Sequence, residues 1–354
     1  MVYLHVPFCR SFCTYCDFYS EIACRGRDAQ SFETYAQALC AEASRRQDEI
    51  AATRGLNTLY IGGGTPSVLP PVFLRRLVEA VGGAPYTEFT IEVNPEDIVE
   101  KGPGYVRELL ALGVNRVSMG VQSLDDGILR WMNRRHDAAR ARQAFAILRD
   151  AGVRNISVDL IFGISQLSEA VFAETLREVL AWRPEHVSAY QLSIEGGSAL
   201  AELVRKGRYS EAPQEQCAAQ YRQLCDALRA AGYVHYEISN WALPGREAVH
   251  NSAYWSRHPY VGLGPAAHSF HDHVRSWNAY DGHPAGSEQL SEEEEREEEI
   301  MLGLRTARGV ADGRIDAAKA AAALSDGRLE RAGDRLRIPE DRWFVSDDII
   351  ADLV

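Results

Sequence analysis

A chain of 354 residues with 46% apolar and 25% charged side chains has ordinary globular composition, which excludes disordered, collagen-like and coiled-coil chains. At about 150 residues per domain it makes two domains, or one large barrel with an appendage. A net charge of −12, from 38 basic and 50 acidic side chains, argues against a broad nucleic-acid footprint. No stretch approaches about 18 consecutive apolar residues, so no transmembrane segment is expected. Met1 runs almost directly into Tyr3-Leu-His-Val6, with no basic segment, apolar core or cleavage site, and a cytoplasmic protein is expected.

Short β-rich runs alternate with helical patterns along the first half, the signature of stacked βα units. Strands are predicted at Val2–Val6, Thr58–Ile61, Phe89–Val93, Arg116–Val121, Ile156–Phe162 and Val187–Leu192. Helices are predicted at about 30–48, 70–81, 103–112, 138–151 and 168–182, with apolar residues three and four apart. Gly113 and Gly152 stand where helix C-terminal caps belong. Six parallel strands with crossover helices make a doubly wound sheet or a partial barrel, and pattern alone does not separate the two. After Glu195 a helix at about 213–231 leads to one predicted strand over 233–242, then a loop rich in Gly, Pro, His and aromatics from Pro244 to Pro284. Two helical segments and an alternating tail, Arg335-Leu-Arg-Ile and Trp343-Phe-Val, then form a small domain joined near Gly286. The expected divisions are a barrel over 1–200, an extension with a closing loop over 201–286, and a small domain over 287–354.

Seven glutamates and one arginine fill Glu292–Glu299, and without them the net charge halves to −6. The plain reading is a solvated first helical turn, where negative charge suits the dipole; a partner-docking patch is the alternative. Seven cysteines with clustered spacing do not make a disulfide scaffold. Cys40 and Cys225 lie in helical patterns and read as small buried apolar residues. Cys9, Cys13 and Cys16 form C-x3-C-x2-C directly after the first strand, with Cys24 further on. Three thiolates can hold three irons of a [4Fe–4S] cluster and leave the fourth open. Zinc on three Cys and His5 is the competing reading, weakened because no second CxxC-type pair exists.

With its aromatic before the third cysteine, this cluster resembles the radical S-adenosylmethionine superfamily. Tyr3-Leu-His-Val-Pro-Phe-Cys9, Gly62-Gly-Gly-Thr-Pro-Ser67, Ile91-Glu-Val-Asn-Pro-Glu96, Gly120-Val-Gln-Ser123 and Val158-Asp-Leu-Ile-Phe-Gly163 together resemble the oxygen-independent coproporphyrinogen III oxidase family, in order over about 280 residues. The resemblance implies an α/β fold, a partial (β/α)6 radical-SAM barrel, with S-adenosylmethionine across its upper face. It implies a small C-terminal domain of winged-helix-like appearance, an analogy that does not license DNA binding.

The words fall at strand ends, where parallel barrels and sheets place ligands. Gly62-Gly-Gly-Thr lacks the lysine of a phosphate loop. By resemblance Gly63, Gly64 and Thr65 line the methionyl end of S-adenosylmethionine, although a plain strand–helix turn reads the same way. Glu92, Gln122 and Asp159 are polar residues inside apolar strands and need partners; ligand amino and hydroxyl groups, or structural hydrogen bonds, supply them. Arg134 matches the family's carboxylate-facing arginine, with Arg135 as its rival, and Tyr3 and Tyr15 pack nearby by the same analogy.

The oxidase carries a further cysteine two positions after the third, where this chain has Phe18. That departure matches the family's heme-chaperone branch. His250-Asn-Ser-Ala-Tyr254-Trp255 fits that branch's H-N-x-x-Y-W word, whose histidine is implicated in holding heme; an imidazole ligates iron and aromatics cover a macrocycle. A barrel-closing aromatic loop needs similar residues, and His258, His268, His271 and His273 are further candidates. The resemblance implies a heme chaperone serving apo-heme proteins such as respiratory-chain cytochromes, with a homodimer left open. The alternative is an enzyme, the radical decarboxylation of coproporphyrinogen III to protoporphyrinogen IX.

Overall fold

The structure is a computed structural model and describes residues 1–23 and 28–354; Cys24 lies outside the described residues. Six strands, β1 (Val2–Val6), β2 (Thr58–Gly63), β3 (Glu88–Val93), β4 (Arg116–Gln122), β5 (Ile156–Phe162) and β6 (His186–Gln191), pair in parallel in chain order. The crossovers are helical: α1 (Asp28–Arg45), α2 (Pro71–Val81), α3 (Pro95–Ala111), α4 (Ala138–Asp150) and α5 (Glu169–Trp182). Register explains the layering. Leu4, Ile61, Ile91, Val117 and Ile156 stand side by side across five strands, and all are buried in the core. Because side chains alternate across a strand, the opposite face carries Tyr60, Glu92, Ser118, Asp159 and Ser188, which line an internal cavity. The barrel is therefore aliphatic outside and polar within.

Helix α3 begins earlier than expected, at Pro95, and bends where Gly102 adopts a φ of 69° ahead of Pro103. The expected helix over 103–112 is only the part beyond that bend. Helix α6 (Gln214–Ala230) follows as expected. The single strand predicted over 233–242 is instead a hairpin, β7 (Val234–Glu237) and β8 (Asn240–Ala242), antiparallel on the outer edge of β6. The buried Glu237 carboxylate shapes its turn, accepting from Ser239 N and from the Asn240 amide.

The expected loop over 244–284 is largely ordered into elements: α7 (Val249–Trp255), β9 (Val261–Leu263), β10 (His268–His271) and β11 (Val274–Asn278). Strand β9 pairs in parallel with β1, and β12 (Pro284–Gln289) completes a small antiparallel sheet with β10 and β11. The large sheet thus runs β9-β1-β2-β3-β4-β5-β6-β8-β7. Beyond it come α8 (Glu292–Gly303), α9 (Ala317–Ser325), a three-stranded sheet of residues 310–311, 330–332 and 335–337, and α10 (Ser346–Leu353). The predicted alternating strand at Trp343-Phe-Val is a 3-10 turn running into α10. There Trp343 is buried and its Nε1 donates to Ile338 O at 2.9 Å.

Candidate functional site

The cysteine loop leaves β1 and is fastened on both sides. Phe8–Cys9 pairs with Glu21–Ile22, and Ala23 N donates to Cys9 O at 2.8 Å. Thr14 donates through N to Met132 O and through Oγ1 to Trp131 O, at 3.0 and 2.9 Å. Cys9, Cys13 and Cys16 are free, half-buried thiols on the wall of a cavity of about 990 Å3. Burial pushes the Cys9 thiol up and the Cys16 thiol up to about 11. Among the described residues no His, Cys, Asp and Glu set converges on a single ion. His5 is committed, with one ring nitrogen 3.1 Å from Tyr3 Oη and the other 2.9 Å from Tyr19 O. The donors therefore do not fit one zinc ion, whereas three thiols on a cavity wall fit a [4Fe–4S] cluster with one iron open to a ligand.

The glycine run sits against this loop. Gly64 N donates to Val6 O and Thr65 N to Phe8 O, at 2.8 and 2.7 Å, while Gly63 N donates to Glu92 Oε2 at 3.0 Å. All three N–H groups are spent, so backbone contact from this run to a ligand is through carbonyl oxygens, which suit an ammonium. Glycine is required for space. A Cβ on Gly64 would lie 2.8 Å from Phe8 O and 3.1 Å from Cys9 Sγ, and one on Gly63, at φ 112°, would meet the His5 ring at 2.6 Å.

A polar chain ties two cysteines together. Thr65 Oγ1 lies 3.4 Å from Cys9 Sγ and accepts from Asn94 Nδ2 at 3.1 Å. Arg134 donates to Asn94 Oδ1 at 2.7 Å, to Gly120 O at 2.8 Å and to Cys13 Sγ at 3.5 Å. Such outer contacts orient metal-binding thiolates and tune them. Arg135 lines the cavity too, but its nearest carboxylate partner is Glu100 at 3.9 Å. Burial pushes the Glu92 carboxyl up to about 7, against hydrogen bonds from Tyr60 Oη at 2.8 Å and Gly63 N. Burial likewise raises Asp159, which accepts from Ser118 Oγ at 2.9 Å. Gln122 lines the cavity with φ 64°, at a bulge between β4 and β5. A left-handed non-glycine residue costs on the order of 1–3 kcal/mol and belongs at ligand sites.

Tyr15, Gly63, Gly64, Thr65, Glu92, Gln122, Arg134 and Asp159 thus meet around one cavity with the three cysteines. Tyr3 does not line it; its hydroxyl is turned to His5. His250, Tyr254 and Trp255 lie outside it as well. His250 is fully buried, with Nδ1 2.8 Å from Thr58 Oγ1 and Nε2 2.9 Å from Tyr254 Oη. The physical reason is docking of α7: Glu88 accepts from Val249 N and His250 N at 2.8 and 2.9 Å, pinning the helix start onto β3. The histidine motif is built into the fold here, and no ring nitrogen is open. Cavity residues that sequence reasoning missed include Tyr60, Asn94, Arg116, Ser118, Ser188 and Asn251. The i, i+2 series Arg116, Ser118, Gly120 along one predicted strand, continued by Gln122 just past its expected end, was the available signal.

The Radical SAM superfamily model matches residues 3–179. A heme chaperone HemW from Mycobacterium tuberculosis (strain ATCC 25618 / H37Rv) is 35% identical, covering 100% of this chain and 94% of that protein. A heme chaperone HemW from Bacillus subtilis (strain 168) is 34% identical over 88% of this chain and 85% of its own length. Among solved structures, coproporphyrinogen III oxidase (HemN) from Escherichia coli, a radical SAM enzyme, superposes with a TM-score of 0.80 over 99% of this chain and 89% of that one, at 19% identity. At that identity the likeness is one of fold.

Proposed function

The chain belongs to the radical SAM superfamily and, within it, to the HemW family, and from that premise we propose that it is a cytoplasmic heme chaperone. In this reading Cys9, Cys13 and Cys16 hold a [4Fe–4S] cluster, the cavity takes S-adenosylmethionine, and bound heme passes to apo-proteins such as respiratory-chain cytochromes. The observation that carries the cofactor assignment is the placement of all three thiols, the glycine run and Arg134 around one cavity. The cluster, when bound, supplies an open iron for the amino and carboxylate ends of a methionine. The chain's own residues do the positioning. Arg134 braces Cys13, Thr65 braces Cys9, and Glu92 and Asp159 offer buried acceptors to ligand amino and hydroxyl groups. Phe18, 69% exposed, occupies the place of the oxidase's extra cysteine, which favours the chaperone over the decarboxylase. Among the described residues no helix is long and apolar enough to cross a membrane.

Heme ligation by His250 requires one of its two ring hydrogen bonds to break, to Thr58 or to Tyr254, and the fully buried ring to be uncovered by a movement of α7. His268, by contrast, is exposed beside the Trp277 ring, 6.1 Å between centroids. The test is anaerobic reconstitution, expected to give about four iron and four sulfide per chain, followed by heme addition and gel filtration. A retained Soret band supports the chaperone reading. Its loss in His250→Ala, with the fold intact, supports an opened α7, and its loss in His268→Ala places the ligand on the small sheet. A wild type that retains no heme but turns over coproporphyrinogen III overturns the reading in favour of the oxidase.

A further inference from the structure

Arg116 begins β4 and is only 1% exposed. Among the described residues its side chain makes no ion pair and no hydrogen bond, and its Nε is among the buried polar atoms without a partner. A buried cation is costly unless paired, so the fold maintains an unsatisfied charge. It faces space: Arg116 lines the cavity, and so do Ser118, Gly120 and Gln122 further along the same strand. Six residue steps at about 3.3 Å each separate Arg116 from Gln122 by about 20 Å. Arg116 therefore lies at the opposite end of the barrel from the cysteine loop and Arg134. Asn251 joins it on the cavity wall. It is carried by α7, whose His250 is bonded to Thr58, the first residue of β2. Among the described residues the side-chain amide of Asn251, like the Arg116 guanidinium, has no hydrogen-bond partner.

We propose that Arg116 and Asn251 form a carboxylate-binding floor that receives the acidic arm of a ligand entering from the cluster side. A guanidinium presents a fork of donors matched to a carboxylate, and the amide adds a neutral donor. Glu92 and Asp159 stand higher on the same face and feel the Arg116 charge across the cavity, but neither contacts it, so the guanidinium keeps its donors for an incoming anion. The proposal rests on the heme-chaperone reading and extends it by placing an acidic arm of the porphyrin in the cavity beneath the S-adenosylmethionine site. The carboxylate has two sources, a heme propionate or the carboxylate of S-adenosylmethionine, and the distance from Arg134 favours the propionate.

The experiment uses reconstituted full-length protein and three probes: iron protoporphyrin IX, its dimethyl ester, and S-adenosylmethionine. Wild type is expected to bind the diacid at least tenfold more tightly than the ester. Arg116→Gln is expected to bind the two alike, with S-adenosylmethionine affinity unchanged. A tenfold loss of S-adenosylmethionine affinity in Arg116→Gln moves the source of the carboxylate but keeps the floor. No change against any probe overturns the proposal. Ligand-free Arg116→Gln is expected to melt no lower than wild type, because an unpaired buried charge is removed; a lower melting point with unchanged ligand preferences makes Arg116 a structural support and also overturns it. If wild type takes up neither porphyrin, the chaperone reading fails while the S-adenosylmethionine arm still decides the floor.

Discussion

Glu92 and Glu237 are acids that burial holds near neutrality, the first pushed up to about 7 and the second to about 8. In the unfolded chain each ionises around 4.5, so the folded state binds more protons as pH rises, and stability falls with pH. For Glu92 the loss is complete above about 7, and for Glu237 above about 8. His250 works oppositely: burial lowers it from 6.5 to about 3, so its contribution is lost as pH falls through that window. Between pH 6.5 and 8 the carboxyls are opposed by the Met1 ammonium, which burial lowers from 8.0 to about 5, so its contribution to stability grows as pH rises to about 8. Relative to wild type, ligand-free Glu237→Gln is therefore expected to gain urea resistance as pH rises to about 8, and Glu92→Gln as pH rises to about 7. A stability difference from wild type that stays constant with pH in both variants would refute the assignment. His250→Ala leaves the Thr58 and Tyr254 hydroxyls unpartnered in a packed site. It is expected to cost about 3 kcal/mol in equilibrium unfolding and to weaken the loss of stability below pH 6.5.

At the scale of elements, the turn after β2 is a brace for the cysteine loop as much as a ligand surface. Gly64 and Thr65 hand their N–H groups to Val6 and Phe8, so the two loops are built as one. Gly64→Ala would press a methyl on the Phe8 carbonyl and the Cys9 sulfur. It is expected to keep its far-ultraviolet circular dichroism while retaining less than half of the wild-type iron after reconstitution; full iron retention would show that the loop yields. The cysteines and this turn were legible in the sequence because their chemistry is local, set by spacing along a few residues. So were β2 to β5, whose apolar runs are interrupted by polar residues such as Glu92, Ser118 and Asp159 on the strand face that lines the cavity. The hairpin β7–β8 was not, since its turn depends on the side chain of Glu237 rather than on glycine. Nor was β9, three residues held by their pairing with β1. Helix α7 was hidden in an aromatic loop, with its start fixed by Glu88 from far away in sequence. Arg116 and Asn251 reach the same cavity only once the barrel has closed, a relation no spacing encodes.

Across the whole molecule, the acidic run at 292–299 joins the barrel-closing segment to the C-terminal elements. Its beginning is the expected solvated turn, with Ser291 and Glu294 in a reciprocal capping box. Its second half is committed: Arg257 lies 3.3 Å from Glu295 and 3.4 Å from Glu298, Arg275 also pairs with Glu298, and Arg314 reaches Glu299 at 2.9 Å. Exposed pairs contribute about 0–1 kcal/mol each, but the side chains of Arg257, Glu295 and Glu298 are all below a fifth exposed, and two arginines share Glu298. Removing the acids strands Arg257, whose Nη1 also donates to Glu295 O at 3.0 Å and whose guanidinium lies 5.0 Å from the Phe270 ring centre. Glu295→Gln with Glu298→Gln is therefore expected to lower the unfolding midpoint and to open Arg257 and Arg275 to limited trypsin digestion. Iron content should stay at the wild-type level, because the cysteine loop is fastened by other elements. If the digestion pattern and the unfolding midpoint are unchanged, the run is a solvated helix face throughout and the C-terminal elements are held by their apolar contacts alone.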